Sequence, residues 1–304
     1  MIEIFFIGTG ASVPTKERGL PCIVLRRKGE LLMFDCGEGS QRSFLLHGFG
    51  VNRPMKIFIT HMHGDHVLGV LGLIQSMGLL GRKRPLEIYG PRGLEELIET
   101  VERTVPFHHE YEVRIHEVKE GVVCETDEYV IKAILADHVI PNYAYVFEEK
   151  PRPGRFHPER ALALGVPQGP LWSRLQKGEP VVVKGRVIRP EEVLGPPRKG
   201  LKIVYSGDTR PCRALVEASM NADVLIHDST LLDNLREKAL EDGHSTARLA
   251  AEVAKKARVR LLVLFHISAR YVGMEHLLVN EARQVMENVI VPIDGQKLEL
   301  KYES

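Results

Sequence analysis

A chain of 304 residues, 44% hydrophobic and 27% charged, can bury a large core and needs no disulfide or metal staple to fold. Its formal charge is nearly balanced at +1, which taken alone argues against a nucleic-acid partner. The four cysteines, Cys22, Cys36, Cys124 and Cys212, form no CxxC and follow no charged-then-apolar leader, and the most apolar stretch, 67–81, falls short of the ~20 residues a bilayer demands, so we expect reduced thiols in a cytoplasmic protein with no membrane span.

From the N-terminus, IEIFFIG (2–8), CIVLRR (22–27) and ELLMFDCG (30–37) read as strands separated by Gly and Pro turns. MKIFIT then runs directly into HMHGDH, which sets three histidines and an aspartate at 61–66. Alternate residues of an extended segment point the same way, so His61 and His63 aim together. Gly64 permits a turn that swings Asp65 and His66 to a neighbouring position. GLEELIETVERTV (93–105) carries apolar residues at helical spacing, and IKAILAD, a further strand, ends against His138.

From Lys150 to Lys202 the chain changes character, with twelve Lys or Arg against four Asp or Glu, a local charge of +8, and nine of the eighteen prolines. This stretch is expected to hold few ordinary helices or strands and reads as a basic arm inserted at about 150–199 into a compact fold, a solvated linker being the alternative. Trp172 inside it is expected either to stack on a base or to pack within the arm. Beyond the arm, LKIVYSG delivers Asp208, STARLAAEVAKKA (245–257) reads as a helix with Ser245 as its N-cap, and LLVLF delivers His266. The class is α/β, with mixed sheets expected.

Four strands thus carry metal-competent side chains to their C-terminal ends, and such ends share one rim. His61, His63, Asp65, His66, His138, Asp208 and His266 are too many ligands for one tetrahedral zinc, whereas two adjacent metals sharing Asp208 use all seven. Imidazole and carboxylate without thiolate favour Zn and tolerate Mn or Fe. Two such metals generate hydroxide at neutral pH and clamp both oxygens of a displacement at phosphorus or carbonyl carbon. His108, His109, His116, His157 and His276 lack this company and are expected in surface or packing roles.

These residues resemble the metallo-β-lactamase superfamily, an αββα sandwich with a dinuclear site along one edge. Within it, FIGTGASVPTKERG, PQGPLWSRL, VLGPPRKGLKIVYSGDTRP, GHST (243–246) and HISARY (266–271) are similar to the short form of the ribonuclease Z family. The resemblance implies a zinc-dependent endonuclease, with two zinc ions per chain, that removes the 3′ trailer from precursor tRNA. The products implied are a tRNA 3′-hydroxyl and a 5′-phosphorylated trailer, and the assembly implied is a homodimer whose arm grips the tRNA body.

Carried onto this sequence, the resemblance implies that His61, His63 and His138 hold one ion, that Asp65, His66 and His266 hold the other, and that Asp208 bridges. It implies Asp65 as base and His244, supported by Asp228, as donor of a proton to the leaving 3′ oxygen. Lys16 and Arg18 fall on the loop that handles the tRNA 3′ end, and Gly169 and Pro170 on the arm's glycine-proline motif, near Arg174 and Lys177. Three positions depart from the family pattern: Asp228 stands where Glu is usual, Gly19 where Asn is usual, and Ala144 where Gly is usual. A small-molecule hydrolase of the same fold is the alternative, although it has no use for a basic arm. A non-catalytic RNA-binding protein on a decayed fold predicts lost ligands, and all seven are present.

Overall fold

The computed structural model describes residues 1–105 and 107–302. Strands β1 (Ile2–Gly8), β2 (Cys22–Arg27), β3 (Glu30–Phe34), β4 (Met55–Phe58), β5 (Leu86–Gly90) and β6 (Val113–Glu117) cross one sheet in succession. Strands β7 (Gly121–Glu125), β8 (Tyr129–Ala136) and β9 (Asn142–Glu149) begin a second, and the hairpin of β10 (Val181–Val183) and β11 (Arg186–Ile188) follows them in the chain. The second sheet is completed by β12 (Lys202–Tyr205), β13 (Val224–Asp228), β14 (Leu261–Phe265) and β15 (Val289–Ile290), before β16 (Lys297–Leu300) returns to pair with β1. The seven-stranded orders are β16-β1-β2-β3-β4-β5-β6 and β15-β14-β13-β12-β9-β8-β7. Strands β3 to β6 run parallel, as do β12 to β15, which gathers the C-terminal ends of each run on one edge.

Period-two alternation sorts the central strands onto two apolar faces, because both faces of the sheets are covered there. In β1, β2 and β3, Phe5, Ile7, Cys22, Val24, Leu31 and Met33 join a cluster with the helix residues Phe44, Val70, Leu73 and Met77. The alternate residues turn to the other face, where Phe34 lies 6.0 Å from Tyr145 and 6.2 Å from Tyr205, and Phe6 lies 6.3 Å from Phe265. The outer face of the second sheet is closed by Ala247, Ala250 and Ala251 of the helix Ala247–Lys256 and by Leu278 and Ala282 of the helix Glu275–Arg283. No helix among the described residues is long and apolar enough to cross a membrane.

Three expectations shift in detail. The third strand stops at Phe34 rather than 37, because Asp35 turns into the left-handed region at φ 55. The helix expected at 245–257 spans Ala247–Lys256, and its N-cap is Thr246, whose hydroxyl accepts from the Leu249 N–H at 3.2 Å. Ser245 does not cap; its hydroxyl donates to the Thr209 carbonyl at 2.7 Å. A single helical turn exposes several N–H groups to several hydroxyls, so sequence alone does not choose between adjacent Ser and Thr.

The chain divides into two compact units, one of Met1–Glu125, Val130–Phe147 and Lys202–Ser304, the other of Thr126–Tyr129 and Glu148–Leu201. The second unit holds more regular structure than its proline content suggests: helices Pro158–Ala163, Pro170–Gln176 and Pro190–Val193 and the β10–β11 hairpin surround a core of Ala161, Val166, Leu175, Val181, Ile188 and Val193. Each of the three helices begins with proline in its first turn, where the missing N–H has no intrahelical role, so these prolines start helices instead of breaking them. Trp172 is half-buried, lies 5.2 Å from Phe156 in a tilted arrangement and donates Nε1–H to the Val166 carbonyl at 3.1 Å, so it packs within the arm.

Candidate metal centre

Every expected ligand sits just past a strand end on the shared edge. His61, His63, His138 and Asp208 form one group whose ligand atoms lie within 4.8 Å of one another, and Asp65, His66 and His266 form another. Asp208 Oδ2 reaches both, at 3.6 Å from His61 Nε2, 3.3 Å from His66 Nε2 and 3.4 Å from His266 Nε2. Asp65 Oδ2 lies 3.4 Å from His266 Nε2 and accepts the Ser12 N–H at 2.9 Å.

The hydrogen bonds behind the rings fix which nitrogen each presents. His138 Nδ1–H donates to the Gly243 carbonyl at 2.7 Å and His66 Nδ1–H to Asp35 Oδ2 at 2.7 Å. Thr60 donates its hydroxyl proton to Asp35, and therefore accepts from His61 Nδ1–H at 2.9 Å. Thr230 repeats the device, donating to Asp228 Oδ1 at 2.7 Å and accepting from His266 Nδ1–H at 2.8 Å. Four imidazoles thus turn a bare Nε2 lone pair inward.

That arrangement fits metal ions. His63 Nδ1 lies 3.1 Å from His61 Nε2 and 3.3 Å from His138 Nε2, so its single proton, if present, serves only one of two facing lone pairs. His66 Nε2 and Asp208 Oδ1 are buried with no hydrogen-bond partner. Burial opposes charge on His66, yet Asp208 and Asp35 pull its pKa up. A field of that sign favours any cation placed beside it. Burial likewise works against ionised Asp65, but His266 and His66 hold its carboxyl far below the usual range.

Asp35 escapes a sequence reading. Wholly buried, it accepts from the Thr60 N–H at 2.8 Å, from the Thr60 hydroxyl, from His66 and from the Tyr205 hydroxyl at 2.7 Å. The only local signal is an acid directly after an apolar strand, in LLMFDCG. Gly243, at φ +86, is equally constrained, because a Cβ there would stand 2.6 Å from His138 Nδ1.

His244 lies beside these groups, its ring 5.2 Å from that of His266 and nearly parallel to it. Its Nδ1–H donates to Asp228 Oδ2 at 2.8 Å, so the shorter Asp in place of Glu still makes the contact. Burial lowers the pKa of His244, but the Asp228 carboxylate outweighs it and raises the ring to about 9. His244, His63 and Asp65 line a cavity of about 520 Å³ together with Ser12 and Pro14.

The candidate RNA contacts divide. Lys16 is exposed, but Arg18 is 1% exposed and is not available to a phosphate: its guanidinium donates to Thr9, to the Pro292 carbonyl at 2.9 Å and to Glu275 at 3.1 Å. Gly19 N–H donates to Asp294 Oδ2 at 2.6 Å. In the second unit, Gly169 at φ 140 precedes Pro170 at the start of its helix, Arg174 is paired with Glu179 at 3.0 Å, and Lys177 is exposed with no ion pair among the described residues. Ala144, the third departure, is wholly buried inside β9 and packs with Val204 and Leu225. Of the histidines set aside, His109 donates Nδ1–H to the Tyr111 carbonyl at 2.7 Å and sets Nε2 3.0 Å from Glu102 Oε1, and His116 stacks on Tyr89.

Two family profiles match, one described as the anti-Pycsar protein Apyc1 over residues 2–150 and one as a β-lactamase superfamily domain over 188–267. The chain is 49% identical over 302 residues to ribonuclease Z of Methanosarcina acetivorans, covering 99% of each, and 49% identical over 301 residues to ribonuclease Z of Methanothermobacter thermautotrophicus, covering 99% of this chain and 97% of that one. Among solved structures, human tRNase Z, short form, superposes with a TM-score of 0.73 at 28% identity, covering 98% of this chain and 99% of that chain. With this likeness along its whole length and a metallo-β-lactamase fold beneath it, the chain belongs to the ribonuclease Z family of metal-dependent endoribonucleases.

Proposed function

We propose that this endoribonuclease removes the 3′ trailer from precursor tRNA, using two zinc ions per chain and leaving a tRNA 3′-hydroxyl and a 5′-phosphorylated trailer. The substrate follows the human neighbour, which is a tRNase Z by name. The observation that carries the reading is the His244–Asp228 pair beside seven convergent ligands. Ligand clusters suit many hydrolases, whereas an imidazolium held ready for proton donation suits a poor leaving group such as a ribose 3′ oxygen.

His61, His63 and His138 with Asp208 would hold one ion, and Asp65, His66 and His266 with Asp208 the other. Imidazole and carboxylate ligands favour zinc over softer-ligand metals, with Mn or Fe tolerated. When bound, two such ions supply Lewis acidity at the phosphate and bring the ionisation of water to neutral pH. Asp65, ionised and fixed by the Ser12 N–H, orients the attacking water and takes its proton. As the bond from phosphorus to the 3′ oxygen breaks, His244 gives that oxygen a proton from Nε2, while Asp228 holds the ring in place through Nδ1. The same reading assigns Lys16, Gly169, Pro170 and Lys177 to the RNA, with Arg174 a weaker contact because Glu179 already engages it. It also includes a homodimer and a reducing cytoplasm, in keeping with four free thiols.

The test joins metal analysis to end-mapping on one precursor tRNA. About two metal ions per chain are expected, both removed by a strong chelator together with activity. A fully active protein with one ion, or a tRNA product ending in 3′ phosphate, would refute the mechanism.

A further inference from the structure

We propose that Glu38 and Ser12 read the ribose of the last tRNA nucleotide, the Glu38 carboxylate accepting its 2′-hydroxyl proton and the Ser12 hydroxyl donating to the same oxygen. The inference rests on the nuclease reading above and gives the cavity at the metal centre a means of telling RNA from DNA. Both side chains line that cavity of about 520 Å³ together with Asp65 and His244. Both are exposed, and among the described residues neither the Glu38 carboxylate nor the Ser12 hydroxyl has a hydrogen-bond or ion-pair partner. Glu38 belongs to neither group of metal ligands, so metal binding does not account for it.

Two turns that grip Asp65 hold these side chains in place. Gly37 packs so closely on the ligand loop that a Cβ there would stand 2.2 Å from the Asp65 carbonyl, and its N–H donates to the Pro21 carbonyl at 3.1 Å. Glu38, the next residue, is thereby fixed beside that loop at the cavity. On the other turn, the Ser12 N–H donates to Asp65 Oδ2 at 2.9 Å. Ser12 takes φ 55, a left-handed conformation that glycine adopts freely and that is uncommon for a residue with a side chain. Residues held this way collect at active sites and ligand clamps.

The chemistry of the cavity selects the partner. A carboxylate repels phosphate and offers only acceptors, so it calls for a neutral donor. The Ser12 hydroxyl both donates and accepts. A ribose 2′-hydroxyl is likewise donor and acceptor, and every RNA substrate carries one whatever its last base. Its place follows from His244 at the same cavity, because the 3′ oxygen that takes the His244 proton and the 2′-hydroxyl sit on adjacent carbons of one ribose.

The test uses the full chain and precursor tRNAs that carry either ribose or 2′-deoxyribose at the last tRNA nucleotide alone. The parent should lose about 10-fold in kcat/KM on the deoxy substrate, as for one lost hydrogen bond to a charged group. Glu38→Ala should fall about 10-fold on the ribose substrate and no further on the deoxy one, whereas Glu38→Gln, which keeps an acceptor, retains part of the preference. Ser12→Ala should reduce the preference by a smaller factor. Deoxyribose at the first trailer nucleotide should cost the parent and Glu38→Ala alike. A ribose preference that survives Glu38→Ala, or a loss in that variant that follows the identity of the last base instead of its sugar, overturns the assignment while precursor cleavage stands. Equilibrium binding of mature tRNA ending in ribose or 2′-deoxyribose separates the two readings. A parent that leaves precursor uncut overturns the nuclease, and the ribose contact then stands only if Glu38→Ala abolishes a ribose preference in binding.

Discussion

Thr60 and Thr230 occupy matching positions behind the two ligand groups, each relaying a buried carboxylate to a histidine Nδ1. Asp228 has a double duty, since its other oxygen holds His244. For His244→Ala we expect retained metal content and RNA affinity but a cleavage rate lower by about 10²- to 10⁴-fold, the range for lost proton transfer. The deficit should nearly vanish on a phosphodiester with a nitrophenolate leaving group, which departs unaided; an equal loss on both substrates would assign the ring to positioning. Arg18 belongs to a different category from the one its loop suggests. Removing its guanidinium strands Glu275, Thr9 and the Pro292 carbonyl, so Arg18→Ala should lower stability by about 2–4 kcal/mol in urea titrations. Lys16→Ala should leave the urea midpoint in place and weaken RNA binding alone, and a stable Arg18→Ala protein would speak against the buried network.

At the level of elements, the helices Ser40–Leu46 and Gly69–Leu79 pack on one another and leave Leu46 at 69% and Leu79 at 78% exposure. Apolar side chains left uncovered on paired helices support the proposed homodimer. The Leu46→Glu, Leu79→Glu variant should run as a monomer in light scattering while keeping its helicity; a persistent dimer would move the interface elsewhere. Strands were legible in the sequence because sheets covered on both faces demand unbroken apolar runs such as IEIFFIG, and the convergence of the candidate ligands was legible because each follows such a run. The supports were not. Asp35, Thr60 and Thr230 act through contacts between separate strands, and the burial of Arg18 depends on Thr9 and Glu275, residues 9 and 257 positions away. No local pattern encodes such partners.

For the whole molecule, the charge of +8 between Lys150 and Lys202 is what motivates the proposed RNA-gripping role of the second unit. Neutralising Lys177 and Lys184 should reduce the dependence of log Kd on log salt by about one per cation, measured on precursor tRNA between low and physiological salt. An unaltered slope would place the RNA elsewhere. Replacing 150–199 by a short turn should preserve hydrolysis of a small phosphodiester and abolish precursor cleavage, which also separates the nuclease from a small-molecule hydrolase.

The two ends of that second unit are joined by backbone hydrogen bonds, among them Glu149 N–H to the Leu201 carbonyl at 2.9 Å and the reciprocal pair between Arg152 and Arg198 at 2.8 and 2.9 Å, where β9 leaves the sheet and β12 begins. For the order of folding this has a direct consequence. Closing a flexible loop of some 50 residues between neighbouring strands costs roughly 2 kcal/mol more entropy than closing one of about six. A segment with its own apolar core can collapse early and present its ends already joined, so β9 and β12 meet as though linked by a hairpin. The long insertion then need not slow assembly of the sheet that carries Asp208, and its length and charge are free to vary while the edge that holds the ligands stays unchanged.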